Sequence, residues 1–243
     1  MPSLSTVRAA NAKFSPAYIP HALFVGGTSG IGQAMVEGFA RHTKGNAHII
    51  ICGRNRAAAE AIIKSFPKPT VEEGAEQPLH EFVHCDVSLM KNVHATTTEL
   101  VSRLPKLNFL VLTPGYMTFK GREETEEGID KKLAVHYYGR WKFTNDLMPL
   151  LRKAKDAGQD AKVFTVLAAG KGGKLDMDDL GLKKTYSLSN AGLTAPTYND
   201  LMMEVSFLLF LYPMRLTIIY FPFTRNSQSG TQIWHSLTPT LAL

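Results

Sequence analysis

The chain has 243 residues, of which 44% are hydrophobic and 20% are charged, and its formal net charge is +6. This composition is that of a soluble globular protein, and the length suits one large α/β domain. The basic residues form no dense run, which argues against a nucleic-acid interface; a solvated basic surface would instead help to attract a phosphorylated cofactor. The two cysteines, Cys52 and Cys85, are expected to be small core residues rather than a disulfide framework.

Neither end of the chain predicts a membrane segment or a secretory signal. The most apolar stretch, residues 201–223, is interrupted by Glu204, Pro213, Arg215 and Pro222, so we expect no span. The first 36 residues lack Asp and Glu, which is weakly typical of a transit peptide. We interpret residues 1–20 as a lead-in arm and expect a cytoplasmic location.

Strand-like and helical segments then alternate along the chain. Strands are predicted at residues 22–25, 47–52, 81–85, 108–113, 162–167 and 216–221. Helices are predicted at residues 31–41 and 56–66, from an N-cap at Ser88 to residue 103, and within 125–151, with a loop at 67–78. This alternation predicts a doubly wound parallel sheet of the Rossmann-like class, in one domain over residues 21–224 with an incomplete C-terminal part and an irregular tail at 225–243.

The most informative motif joins the first strand to the first of these helices. It reads Val25-Gly-Gly-Thr-Ser-Gly-Ile-Gly32. Glycines at this spacing let the chain turn tightly and present bare N–H groups at a helix start, which accepts a pyrophosphate. The candidate cofactor-binding residues are Gly26, Thr28, Ser29, Gly30, Ile31 and Gly32. The alternative is a merely structural turn.

The ends of the second and third strands predict which nucleotide is bound. The second strand is followed by Arg54 and Asn55, with no carboxylate to accept a ribose 2′-OH, and Arg54 can bind a 2′-phosphate. This favours NADP(H) over NAD(H), unless Arg54 is only a surface residue. Asp86 can accept from the adenine amino group while Val87 covers the ring; Asp86 alternatively serves as a helix-start carboxylate.

Together these motifs resemble the short-chain dehydrogenase/reductase superfamily. The glycine loop is similar to the family's TGxxxGIG, with Val25 replacing Thr, and Thr113-Pro-Gly115 stands where the family has Asn-Ala-Gly, which makes Gly115 a cofactor residue. Residues 112–118 and 136–141 look like a fungal subgroup found near natural-product pathways. The resemblance implies an NADP(H)-dependent oxidoreductase that acts on a small ketone or alcohol, such as a terpenoid or polyketide intermediate.

The second half of the chain departs from the family's catalytic pattern of Ser, Tyr, Lys and Asn. Ala168 stands at the Ser position and His136 at the Asn position. No Tyr-x-x-x-Lys follows Gly170, and the nearest analogue begins at Tyr186, with Asn190 in place of Lys. A phenol without a nearby ammonium is a poor acid–base group at neutral pH. An ammonium could fold over from another part of this region, the candidates being Lys171, Lys174, Lys183 and Lys184.

We therefore predict Tyr186 as the proton-transfer residue, assisted by His136, whose imidazole titrates near neutrality. A structural role for His136 in the helix remains open.

From Val205 onward the chain lacks Asp, Glu and Lys, and Phe221-Pro-Phe-Thr224 only partly matches the family's Pro-Gly-x-x-x-Thr. The alternatives are a nucleotide-binding protein without redox turnover and a truncated product that folds poorly. The expected partner is a small molecule, and a homo-oligomer remains open.

Overall fold

The computed structural model describes residues 2–70, 76–166, 168, 170–210 and 217–220. Its strands are β1 His21–Val25, β2 His48–Gly53, β3 His80–His84, β4 Phe109–Leu112, β5 Lys162–Thr165 and β6 Thr217–Tyr220. They pair in the order β3-β2-β1-β4-β5-β6, and every pairing is parallel. The predicted doubly wound, Rossmann-like sheet is confirmed.

Helices cover both faces of this sheet. They are α1 Leu4–Ala12, α2 Gly30–His42, α3 Arg56–Lys64, α4 Met90–Arg103, a short α5 Lys131–Leu133, a π-helical turn Ala134–Tyr138, α6 Gly139–Asp156 and α7 Leu188–Phe210. The side chains of α2 and α3 pack on one face of the sheet, and those of α4 and α6 pack on the other. Every residue of β1 is buried, as expected for a central strand with both faces covered.

The N-terminal arm contributes to one of these layers. Helix α1 begins after Ser3, whose hydroxyl accepts a hydrogen bond from the Thr6 N–H at 3.1 Å. Farther along, the Phe14 ring packs against Phe39 of α2 and Phe109 of β4. The arm therefore lies on the sheet face that carries α2.

The start of α4 differs from the prediction. Ser88 is not its N-cap: the Ser88 backbone N–H and hydroxyl both donate to the Asp86 carboxylate, at 3.0 and 2.7 Å. The helix begins at Met90, where the Glu127 carboxylate accepts from the N–H groups of Met90 at 2.6 Å and Lys91 at 2.8 Å. A residue distant in sequence thus satisfies the first donors of α4, and local sequence reasoning does not detect such a cap.

The single long helix predicted within residues 125–151 is also wrong at its start. Residues before Lys131 form a turn closed by an isolated bridge between Glu124 and Asp130. Asp130 then caps α5 by accepting from the Lys132 and Leu133 N–H groups. A π-helical turn follows, in which the Gly139 N–H reaches back to the Ala134 carbonyl, and only then does α6 begin.

Several predicted segments lie wholly or partly outside the described residues. These are residues 71–75 of the predicted loop, Leu167 and Ala169 beside β5, and the segment from 221 onward with its Phe221–Thr224 motif and the 225–243 tail. Both cysteines are buried and free, as expected. Within the part of the chain that the structure describes, no helix is both long and apolar enough to cross a bilayer.

Candidate nucleotide-binding site

A cleft of about 540 Å³ opens at the carboxyl ends of β1, β2, β3 and β4. Most of the predicted cofactor residues line it: Gly26, Thr28, Ser29, Gly30, Ile31, Gly32, Arg54, Asp86, Val87 and Gly115. Ligands of doubly wound folds bind at this edge, where the chain order of the strands reverses on either side of β1. The topology therefore gathers the motifs of four separate strand ends into one concave surface.

The glycine loop forms the floor of this cleft. Gly26 has a φ of +83° and Gly30 a φ of +56°, a backbone region that favours glycine. A Cβ atom on Gly32 would lie 2.2 Å from the Gly26 carbonyl oxygen and 2.5 Å from the Thr113 Oγ1. At Gly32 the start of α2 therefore lies so close to the residues that follow β1 and β4 that only glycine fits.

Three charged residues line the cleft: Arg54, Asp86 and Lys131. Burial disfavours the charged form of Asp86, but hydrogen bonds from Ser88 and the nearby charges of Arg54 and Lys131 outweigh that effect and hold its pKa below the ordinary value. Asp86 is therefore a carboxylate at neutral pH that keeps acceptor capacity toward the cleft.

Asn55 and Val87 occupy different environments. Asn55 is the N-cap of α3, since its side-chain oxygen accepts from the Ala58 N–H at 3.0 Å, and it is not among the residues that line the cleft. Val87 lines the cleft, and its carbonyl oxygen lies 2.7 Å from where a Cβ atom on Gly139 would stand. The close approach of α6 to the loop after β3 fixes the position of Val87.

The loop after β4 is held by a buried cation that sequence reasoning missed. Arg140, only 4% exposed, donates from Nη1 to the Thr165 hydroxyl at 2.7 Å and to the Val166 carbonyl at 2.8 Å, and from Nη2 to the Pro114 carbonyl at 2.5 Å. Burial lowers its pKa to about 10, which still leaves it charged at neutral pH. Arg140 thus ties the carboxyl ends of β4 and β5 together below the cleft.

His136 lies in the π-helical turn and faces the same loop. Its Nε2 atom is 3.1 Å from the Tyr116 carbonyl oxygen and 3.4 Å from the Tyr116 backbone nitrogen, and its ring stacks against that of Tyr116. Burial, and then the charge of Arg140, lower the pKa of His136, so the imidazole is neutral at neutral pH. In this arrangement His136 contacts the backbone of the loop rather than lining the cleft.

Tyr186 is also placed beside this loop. Its hydroxyl donates to the Gly121 carbonyl oxygen at 3.2 Å, and the Lys132 ammonium lies 5.3 Å from its ring centroid. Tyr186 is not among the residues that line the cleft. The backbone N–H groups of Lys183 and Lys184 donate to the Asp179 carboxylate, and Asn190 donates to the Thr185 carbonyl.

Tyr116 is a second residue that the sequence did not single out. It lines the cleft directly after Gly115, and its hydroxyl is buried without a hydrogen-bond partner in the described part of the chain. Burial, and then the carboxylates of Asp130 and Glu123, raise the pKa of Tyr116. A local signal was available, because Tyr116 follows the strand end at which the family motif occurs.

With this geometry in place, comparison with known proteins decides the family. The family model for short chain dehydrogenases matches residues 20–169. The chain belongs to the short-chain dehydrogenase family. This match spans the sheet from β1 through β5 and includes the whole glycine loop, the Arg54 turn and the loop after β4.

Individual relatives agree with this assignment. The chain is 39% identical over 204 residues to the oxidoreductase AN1596 of Emericella nidulans, a match that covers 84% of this chain and 58% of that relative. Among solved structures, an uncharacterised protein from Mycobacterium paratuberculosis matches with a TM-score of 0.66 at 18% identity, covering 90% of this chain and 73% of that one. A short-chain dehydrogenase from Sphingobium yanoikuyae in complex with NADPH matches with a TM-score of 0.58 at 16% identity, covering 85% and 72%.

Proposed function

We propose that this short-chain dehydrogenase is an NADP(H)-dependent oxidoreductase of a small ketone or alcohol. The observation that carries the proposal is the guanidinium of Arg54, which follows β2 and has no carboxylate partner among the described residues, in a cleft whose floor is the glycine loop. Among described residues no carboxylate lies within 4.0 Å of Arg54. A free cation at this strand end fits a 2′-phosphate, which a carboxylate there would repel.

The residues of the cleft fit the dinucleotide along its length. The N–H groups at the start of α2 would bind the pyrophosphate, and Asp86 with Val87 would receive the adenine. Gly115 would border the nicotinamide half. When bound, the cofactor supplies or accepts a hydride. The protein's own part is to orient both reactants and to move a proton at the substrate oxygen.

We assign that proton transfer to Tyr186, with His136 assisting. Both residues contact the loop that begins at Tyr116 and ends at Gly121 and borders the cleft: His136 through the Tyr116 carbonyl, and Tyr186 through the Gly121 carbonyl. The Lys132 ammonium lies 5.3 Å from the centroid of the Tyr186 ring, which helps to hold the ring in this position. The substrate class we propose is a small ketone or alcohol of terpenoid or polyketide origin, handled in the cytoplasm.

A titration of the purified chain with NADPH and NADH tests the cofactor half. We expect heat of binding with NADPH, weakened about 10-fold or more by Arg54→Ala because a charge-assisted hydrogen bond is lost. The matched control Arg41→Ala removes an exposed arginine of α2. A folded protein that binds neither nucleotide contradicts the proposal.

The catalytic half is tested with the oxidation of NADPH in the presence of a panel of terpenoid and polyketide-type ketones. Tyr186→Phe should reduce kcat by about 100-fold or more if the phenol moves the proton. Tyr18→Phe serves as the control, because its hydroxyl contacts Asp160 near the amino-terminal edge of the sheet. Turnover unchanged by Tyr186→Phe removes Tyr186 from the mechanism.

One observation favours a second candidate function, a nucleotide-binding protein without redox turnover. Tyr186 is hydrogen-bonded beside the cleft rather than lining it, and Ala168 has no hydroxyl to hold a substrate oxygen. Tight NADPH binding together with no NADPH oxidation across the ketone panel would select this candidate. Ketone-dependent NADPH oxidation that is abolished by Gly30→Asp would reject it.

A further inference from the structure

The loop after β4 exposes two large apolar side chains at residues 116–121, which we call the apolar loop. Met117 is 88% exposed and Phe119 is 87% exposed, more than any other large hydrophobic side chain among the described residues. Tyr116 and Thr118 are less exposed, and this alternation is typical of extended backbone, in which every second side chain projects to the same side. Met117 and Phe119 therefore project together into solvent.

The apolar loop is held in place at both ends. At its start, the Tyr116 carbonyl oxygen lies 3.1 Å from the His136 Nε2 atom. At its end, the Lys132 ammonium donates to the carbonyls of Lys120 at 3.0 Å and Gly121 at 2.9 Å. The exposure of the two apolar side chains is thus a fixed feature of the loop, set by contacts with residues distant in sequence.

The Tyr186 hydroxyl joins the apolar loop to a second segment, the basic turn, by donating to the Gly121 carbonyl at 3.2 Å. The basic turn runs from Asp179 to Lys184. In it the Asp179 carboxylate accepts from the backbone N–H groups of Lys183 at 2.7 Å and Lys184 at 2.8 Å. These bonds use only the backbone of the two lysines, and both residues are exposed. The turn therefore presents two ammonium groups beside the segment that contacts the apolar loop.

The ammonium groups of the basic turn have no carboxylate partner. Among the described residues none lies within 4.0 Å of Lys183 or Lys184. The acidic residues that follow the apolar loop, Glu123 and Glu124, pair with basic residues of their own segment. Residues 171–178, before the turn, contain two lysines and two aspartates, so their charges balance. The basic turn thus adds positive charge that its surroundings do not cancel.

Protruding apolar side chains beside unpaired cations suit a lipid surface. A protein partner would need a pocket shaped to receive Met117 and Phe119, whereas the acyl region of a bilayer accepts protruding apolar groups without a matching shape. Anionic headgroups also attract lysines that lie near the membrane surface. A neutral apolar loop joined to a basic turn matches both layers of such a surface.

We propose that the apolar loop and the basic turn together dock the protein reversibly on an anionic lipid bilayer. Met117 and Phe119 insert among the lipids, and the basic turn contacts the headgroups. Gly115 and Tyr116, which lead into the same loop, line the nucleotide cleft, so docking brings the cleft to the membrane surface. The inference concerns a surface outside the cleft and does not depend on the proposed reaction.

The test is sedimentation of the full chain with vesicles of phosphatidylcholine, either alone or with about one third phosphatidylserine. The wild-type chain should bind the vesicles that contain phosphatidylserine about 10-fold or more tightly than the others. Met117→Ser combined with Phe119→Ser should weaken binding to them by about 10-fold or more, because two apolar side chains no longer leave water. Lys183→Ala combined with Lys184→Ala should weaken it by about 5- to 30-fold, and binding to phosphatidylcholine alone by less than about 2-fold.

Matched controls remove the same kinds of group elsewhere. Leu4→Ser combined with Leu79→Ser replaces two other apolar side chains, which are 62% and 51% exposed. Lys64→Ala combined with Lys68→Ala removes two exposed lysines at and after the end of α3. Both control variants should bind the vesicles as the wild-type chain does. The thermal unfolding transition of each variant, recorded without lipid, shows that it remains folded.

Four outcomes would overturn the inference. The first is a folded wild-type chain that sediments with neither kind of vesicle. The second is unchanged binding in the apolar-loop and basic-turn variants, which would locate the contact on another surface. The third is an equal loss in the control variants. The fourth is a loss of self-association, without a loss of vesicle binding, in the apolar-loop variant, since the loop would then join copies of the chain. None of these outcomes involves NADPH binding, so the proposed function is tested separately.

Discussion

The side-chain amide of Asn199 donates a hydrogen bond of 2.8 Å to the backbone carbonyl of His136. Asn199 is fully buried in α7, and the same amide nitrogen also donates to the Ala195 carbonyl at 2.7 Å. His136 lies in the π-helical turn, where the hydrogen-bonding pattern shifts from four to five residues. Asn199 therefore joins the π-helical turn that carries His136 to α7.

We expect Asn199→Ala to lower the free energy of unfolding by about 2–3 kcal/mol, because two carbonyls lose a side-chain hydrogen bond and a small cavity forms. Chemical denaturation measures this change. Asn145→Ala on the exposed side of α6 is the matched control and should have little effect. Equal stability of the two variants would show that the Asn199 bonds do not contribute.

The glycine loop yields a prediction about steric space. Gly32→Ala should weaken NADPH binding by more than about 10-fold and lower the unfolding temperature, because its Cβ atom would lie 2.2 Å from the Gly26 carbonyl oxygen. Gly192→Ala introduces the same methyl group into open space in α7, where alanine favours the helix by up to about 1 kcal/mol. Wild-type NADPH affinity in Gly32→Ala would contradict the geometry of the loop.

The cap of α4 yields a prediction about two adjacent acidic residues. Glu127→Ala should lower the free energy of unfolding by about 1–2 kcal/mol, since it removes the acceptor for the first N–H groups of the helix. Glu126→Ala removes only an exposed ion pair with Lys91 and should change stability much less. The difference between the two variants, measured by urea denaturation, isolates the cap. A Glu126 effect as large as that of Glu127 would contradict this assignment.

His21 yields a prediction about pH. Burial, and then the nearby charges of His48 and Lys106, lower the pKa of His21 from 6.5 to about 4. Between these values the unfolded chain binds the proton more readily than the folded protein, so stability is retained above pH 6.5 and falls toward pH 4. The loss from this group is on the order of 3 kcal/mol.

His21→Phe removes this titration and should flatten the decline of the unfolding free energy over the same pH interval. His42→Phe, at an exposed position on α2, is the matched control and should retain the decline. Denaturation curves recorded at several pH values between neutrality and pH 4 make the comparison. A decline of equal size in His21→Phe and in the wild-type protein would exclude His21 as its source.

The fold was largely predictable because its signals are local. The predicted strand at residues 47–52 differs from β2 by one residue at each end, since an unbroken run of isoleucines suits a strand buried on both faces. The start of α4 was not predictable in this way. Its cap, Glu127, lies 37 residues away from Met90, so the acceptor that fixes the helix start is invisible in the local pattern.

The residues of the candidate site were likewise predictable only where the signal in the sequence is local. The glycine loop and Arg54 follow strand ends, and a strand end is the position in this fold where local sequence indicates a ligand. Lys131 and Arg140 reach the site from helical segments through contacts made across the molecule. Tyr186 was selected by the family pattern. Its hydrogen bond to the Gly121 carbonyl was not predictable, because Gly121 lies in a loop distant in sequence.

The strand order also has a consequence for how the chain folds as it is synthesised. Strand β1 pairs with β2, β2 pairs with β3, and then β4, β5 and β6 add to the other side in turn. From β2 onward, each strand therefore finds a partner strand that has already been synthesised. A nascent chain that ends after β3 already contains a continuous three-stranded half-sheet, to which β4 adds at β1. We expect the sheet to grow in the order of translation, first in one direction and then in the other.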